Sequence, residues 1–156
     1  MTEEKNQPGP QFDLEKIYLK DISFESPNTP AVFMQKDFNP KVDINLDVEH
    51  QVMPAENYYE VTLTVEVRAK IGEKNAFLVS VQQAGIFRLQ NFPEKQIPTM
   101  LAVACPNTLM PFIRETVADL VTKGGYPQLL LAPVNFDLLY AKKQQEKTQS
   151  EGETTH

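Results

Sequence analysis

Residues 59–71 read Tyr59-Glu60-Val61-Thr62-Leu63-Thr64-Val65-Glu66-Val67-Arg68-Ala69-Lys70-Ile71. Apolar side chains at every odd position alternate with polar ones at every even position. Successive side chains of a strand point to opposite faces, so this is a strand with one buried face and one wet face. Downstream, Gly72-Glu73-Lys74-Asn75 supplies a short hairpin loop into a second strand over 76–87. Upstream, Val42, Ile44, Leu46 and Val48 alternate with Asp43, Asn45 and Asp47, which predicts another half-buried strand. A fourth strand covers 14–25. All four read as antiparallel, and all precede any convincing helix.

The 14–25 strand is less regular. Tyr18, Ile22 and Phe24 fall in one phase while Ile17 and Leu19 fall in the other, so its facing is mixed. A long apolar strand at a sheet edge is aggregation-prone unless something pairs with it. Self-association through sheet edges or stacked helices is therefore expected. The strand runs into a crossover bounded by Pro27, Pro30 and Pro40.

Helical signals begin near Pro98, with a short apolar turn through Met100, Leu101 and Val103. A longer helix follows Pro106-Asn107, with Leu109, Phe112, Ile113, Thr116, Val117, Leu120 and Val121 on one stripe. Pro111 is placed in its first turn, where a missing N–H costs least. Lys123 and Gly124-Gly125 close it. Residues 126–133 read as extended, and a last amphipathic helix starts near Asn135 with Phe136, Leu139 and Tyr140 on its apolar side. Strands first and helices afterwards predict an α+β fold, with helices packed on one face of a four-stranded antiparallel sheet. The organisation reads as an unstructured tail over 1–11, one domain over 12–141, and a helix end fraying into a tail over 142–156.

Bulk properties exclude several function classes. Net charge is −6 with no basic stripe, which argues against nucleic acid and favours basic or mixed-charge protein partners. Nothing approaches the roughly 18 apolar residues of a membrane span, and the first residues lack the pattern of a signal peptide. Cys105 stands alone in an apolar run, which excludes an internal disulfide, suits the cytoplasm and reads as a buried small hydrophobe. His50 and His156 are the only histidines, and no metal spacing, phosphate loop or catalytic set is visible. No enzyme, cofactor or metal is expected.

Binding is expected at two places. The 27–40 crossover carries Val32, Phe33, Met34 and Phe38, too apolar for a simple solvent loop; it either packs down on its own domain or lines a groove. Asp21 and Glu25 are four apart on a strand, so both project from one face. These residues alone leave three readings open: a chain-binding protein, a small-ligand-binding protein, or a purely structural oligomer.

Three segments narrow the choice. Residues 17–30, Val81-Gln82-Gln83-Ala84-Gly85-Ile86-Phe87 and Leu129-Leu130-Leu131-Ala132-Pro133-Val134-Asn135-Phe136-Asp137 lie in the order and spacing of the SecB family. The chain resembles that family of bacterial export chaperones over about residues 12–141. The resemblance implies an ATP-independent holdase that keeps secretory precursors unfolded and passes them to the SecA translocase ATPase. It implies a cytoplasmic homotetramer, a dimer of dimers with helices sandwiched between two extended sheets. Carried over by position, the client groove comprises Phe33, Phe38, Val42, Ile44, Leu46, Phe136, Leu139 and Tyr140. The SecA-docking face comprises Asp21, Glu25, Leu78 and Ser80, where the family often carries an acid at the position of Ser80; any zinc belongs to the basic tail of SecA. Met34 departs from the family pattern as an insertion.

Overall fold

The computed structural model describes residues 8–153. Four strands, β1 (Gln11–Glu25), β2 (Lys41–Val52), β3 (Tyr58–Ile71) and β4 (Lys74–Gln90), form one antiparallel sheet in the order β1-β4-β3-β2. The strand with the strongest alternation, β3, lies at its centre beside β4, and β1 and β2 are its edges. The helical part follows: a 3₁₀ turn at Glu94–Gln96, the single turn α1 (Ile97–Thr99), a π segment at Met100–Ala104, α2 (Cys105–Lys123) and α3 (Phe136–Glu153). A sheet with helices on one face is the α+β arrangement that the order of the elements predicts.

The core lies between the sheet and α2. Val61, Leu63, Val65, Val67 and Ala69 of β3 and Val79, Val81, Phe87 and Leu89 of β4 meet Leu109, Ile113, Val117 and Val121 of α2, all buried. The spacing of four along α2 makes that contact a narrow stripe, and Phe112 lies exposed outside it. The even-numbered residues of β3, from Glu60 to Lys70, face the other way. Among the described residues no helix covers that side, the open face of the sheet.

In β1 the expected mixed facing does not occur. Its register against β4 slips between Leu14 and Lys16 and again between Leu19 and Asp21. Glu15 and Lys20 are thus extra residues, each a bulge that shifts the phase by one. The consequence is that Phe12, Leu14, Ile17, Leu19, Ile22 and Phe24 pair with the helix-side positions Leu89, Phe87, Gly85, Gln83, Val81 and Val79. Tyr18, Asp21, Ser23 and Glu25 turn to the open face. Ile17 and Leu19 therefore join Ile22 and Phe24 and do not oppose them.

Three other expectations change. The hairpin loop has two residues, Gly72 and Glu73, with Gly72 at φ +61° as such tight turns require. Pro111 is not in the first turn of α2 but in its interior. The helix begins at Cys105, ahead of Pro106, because the π segment carries helical backbone continuously from α1; the amide of Cys105 reaches back five residues to Met100. Finally, α3 continues as helix through residues 142–153, built from good helix formers, where fraying was expected. Residues 8–10 are exposed coil and Gln11 already belongs to β1; the rest of the expected N-terminal tail, and residues 154–156, lie outside the described residues.

Candidate functional site

The end of α2 sets the position of the crossover. Gly125 takes φ +89°, its amide bonds Thr122 O, and the Tyr126 amide bonds Val121 O, a glycine-terminated C-cap that turns the chain sharply. Tyr126 is thereby driven under the crossover loop. Its hydroxyl donates to the Ala76 carbonyl at 2.8 Å and lies 2.6 Å from Ser26 Oγ. Ala76 is the extra residue of a third register slip, between β3 and β4, which frees its carbonyl for this bond. The ring of Tyr126 meets Phe77 at 4.8 Å, Phe33 at 5.1 Å and Phe38 at 5.5 Å. A buried tyrosine with its hydroxyl satisfied is thus the anchor for both loop phenylalanines. Only its place directly after Gly124-Gly125 signalled this role in the sequence.

The loop itself is ordered as a 3₁₀ turn, Ala31–Met34, with Val32 buried as its foot. Phe33 keeps 47% of its surface exposed despite its contact with Tyr126. Nearby, β2 presents Val42, Ile44, Leu46 and Val48 to the helix side, paired with Ala69, Val67, Val65 and Leu63. Val42 and Leu46 pack on the core while Ile44 is 46% exposed. On α3, Leu139 is half-buried against the core, Tyr140 is half-buried, and Phe136 is only 1% exposed. Phe136 therefore lies in the core and offers no surface of its own. β2 is an edge strand with an unbroken register, and among the described residues its outer backbone carries no strand partner. Lys143 reaches this edge from α3, with Nζ 2.8 Å from Asp47 Oδ1.

The open face divides into two ends. At one, Glu60 accepts bonds from the Tyr18 hydroxyl, from Lys20 Nζ at 3.0 Å and from Gln51 Nε2 at 3.0 Å, joining β1, β2 and β3. The Tyr18 bond chiefly holds the Glu60 carboxyl below its usual range, against the opposing effect of burial. Burial first, and then Glu60, pushes the Tyr18 phenol up to about 12. At the other end lies an open trough of about 560 Å³ whose lining includes Ser23, Glu25, Asp43, Glu66, Arg68, Leu78 and Ser80. In register, Ser23 faces Ser80, Glu25 faces Leu78 and Asp21 faces Gln82. Asp21, Glu25, Leu78 and Ser80 thus share one face of two adjacent strands, with Asp21 just beyond the trough.

Cys105 is fully buried, and burial pushes its thiol up to about 12, so it sits as an unreactive apolar side chain. Among the described residues no group of His, Cys, Asp or Glu is placed to hold a metal. Likewise, no helix among them is long and apolar enough to cross a membrane.

A sequence model of the family described as "Preprotein translocase subunit SecB" matches residues 4–147. The protein-export protein SecB of Nitrosococcus oceani is 52% identical over 94% of this chain and 88% of its own length. That of Methylococcus capsulatus is 48% identical over the whole of both chains. The fold is similar to that of a SecB-like chaperone of Mycobacterium tuberculosis solved with an antitoxin peptide, at a TM-score of 0.64 and 18% identity, covering 80% of this chain and 91% of that one. The chain belongs to the SecB family of preprotein-export chaperones.

Proposed function

We propose that this protein is an ATP-independent cytoplasmic holdase that binds unfolded secretory precursors along β2 and the crossover and hands them to the SecA translocase ATPase. One observation carries the reading. Exposed Phe33 and Ile44 stand on ordered backbone at an edge strand whose outer side has no strand partner among the described residues. Aromatic and aliphatic surface accepts apolar side chains of many sequences, while a free edge offers backbone hydrogen bonds to any extended segment. Both are independent of sequence, as a chaperone for many clients requires. Phe38, Val42, Leu46, Leu139 and Tyr140 complete the wall, and Phe136 supports it from the core.

The working assembly is a homotetramer, a dimer of dimers. Support comes from β1, whose Leu19 and Ile22 are 46% and 43% exposed at the other sheet edge and would be covered by a second copy. Several weak grooves on one tetramer hold one client at several points, which raises avidity by roughly 10²–10⁴. SecA docks on the open face through Asp21 and Glu25 with Leu78 and Ser80, acidic and apolar contacts suited to a basic segment.

The test is light scattering of a slow-folding precursor diluted from denaturant, without nucleotide. The parent protein suppresses aggregation near one tetramer per client. Ile44→Asp, at a half-exposed position, keeps its Tm and oligomeric state and loses client affinity by about tenfold or more. An Ile44→Asp tetramer that holds clients as tightly as the parent would sink the groove assignment.

A further inference from the structure

The register across the open face defines rows of side chains. One row runs Ser23, Ser80, Glu66, Asn45 across β1, β4, β3 and β2; the next runs Glu25, Leu78, Arg68, Asp43; the row on the other side runs Asp21, Gln82, Thr64, Asp47. In the second row Arg68 is directly opposite Asp43, so opposite charges neighbour each other. In the first row Glu66 is the sole charge. From strand and residue spacings, Asp21 and Glu25 are about 13 Å apart, and Glu66 is about 12 Å from each. The three carboxylates form a near-equilateral triangle around Ser23 and Ser80, and Glu25 and Glu66 line the open trough together with Arg68, which lies opposite Asp43.

The contrast with Glu60 sets Glu66 apart. Both are glutamates of β3 on the same face, yet Glu60 is filled by Tyr18, Lys20 and Gln51. Glu66 is exposed and its carboxylate has no hydrogen bond or ion pair among the described residues, and the same holds for the carboxylates of Asp21 and Glu25. Glutamate is a poor strand former, and in the middle of a central strand with no partner it adds nothing to the fold.

We infer that Glu66 is a specificity-determining residue of the docking face, a third carboxylate for the basic segment of the motor. The inference rests on the proposed docking of SecA through Asp21 and Glu25. A basic segment crossing β1 and β4 meets Asp21 and Glu25 on one side and Glu66 on the other, so the trough reads charge on both flanks. Because Ser80 is the cross-strand neighbour of Glu66, a carboxylate at position 80 sits one strand spacing away, about 4.8 Å, and covers the same flank.

The test is calorimetric titration of the intact protein with purified SecA at low and moderate salt, using E66Q, E66Q/S80E and D21N/E25Q. E66Q weakens binding by about three- to tenfold with a shallower salt dependence, as expected for loss of one charge contact. E66Q/S80E returns to within about twofold of the parent, since only the position of the charge has moved. Unchanged binding by E66Q beside weakened binding by D21N/E25Q overturns the role of Glu66 and leaves the docking face standing. Loss in E66Q without recovery in E66Q/S80E, at unchanged Tm, also overturns it. Unchanged binding by all three variants overturns the docking face itself, and the inference with it.

Discussion

β1 and β2 are both edges of one sheet, yet β1 slips register twice against its neighbour while β2 pairs without a break from Lys41 to Val52. The bulges at Glu15 and Lys20 gather six apolar side chains of β1 on the helix side and leave Asp21, Ser23 and Glu25 for the open face. They also twist and interrupt its outer backbone, which makes β1 a poor template for an arbitrary strand. β2 has regular spacing and an exposed Ile44, the features an extended chain of any sequence can use. The difference separates a shaped edge, fit for one particular partner, from a plain edge fit for many.

The sharpest way to break this comparison is to delete Lys20. Without the second bulge, residues 12–19 pair one position out of phase, and a shift of one flips every side chain to the opposite face. Phe12, Leu14 and Ile17, now packed on the core, would face water, and Tyr18 would lose Glu60. Each flipped apolar side chain costs on the order of 1–2 kcal/mol, a large share of a typical total of about 5–15 kcal/mol. The deletion is expected to unfold non-cooperatively or to lower Tm by more than about 10 °C. Lys20→Ala, which keeps the bulge and removes only an ion pair, should shift Tm by no more than about 2 °C. Equal stability of the two would show that the bulge does not set the facing.

A smaller effect is expected where the far end of β1 meets α2. A Cβ built on Gly124 falls 2.2 Å from Phe24 Cζ, and the Phe24 ring in turn stacks on Phe77. Gly124→Ala must push this ring aside, at a cost of about 1–3 kcal/mol read from urea midpoints. In a Phe24→Ala background the same substitution should cost little. That coupling would show that Phe24 docks against the helix end as the bulged register requires, and additive effects would count against it.

What could be read from the sequence follows from how local each cause is. β3 was legible because alternation on a central strand is a property of consecutive residues, and burial then follows. β1 misled because a bulge resets the phase without any marker residue; Glu15 and Lys20 look like ordinary wet positions. The helix stripe survived except at Phe112, which is exposed, and Pro111 was misplaced because a π segment let helix begin well ahead of it. Position on α3 alone could not show that Phe136 is core while Tyr140 is half-buried, since both lie on one helical face. Tyr126 was missed because its importance depends on a carbonyl fifty residues away, freed by a bulge. Asp21 and Glu25 were placed on one face correctly, since both lie beyond the second bulge and keep the same phase.

Glu60 ties the two edges together, and its variant gives the smallest and most specific prediction. Tyr18 and Lys20 approach from β1 and Gln51 from β2. Because the Glu60 carboxyl is held below its usual range, its contribution to stability is fully present above the unfolded value, about 4.3, and is lost as pH falls through the folded one. Tyr18 behaves in the opposite sense. Its phenol is raised to about 12, so its contribution is full below about 10 and is lost as pH rises from there towards 12. Glu60→Gln keeps the shape and can still accept a bond from Tyr18, but it removes the charge. Urea unfolding should therefore show a deficit of about 1 kcal/mol in Glu60→Gln between pH 6 and 9, shrinking towards pH 3 and again above pH 10. Parallel profiles for parent and variant across that range would mean that the two edges are held by backbone pairing alone, and that the polar bridge between them contributes nothing to the fold.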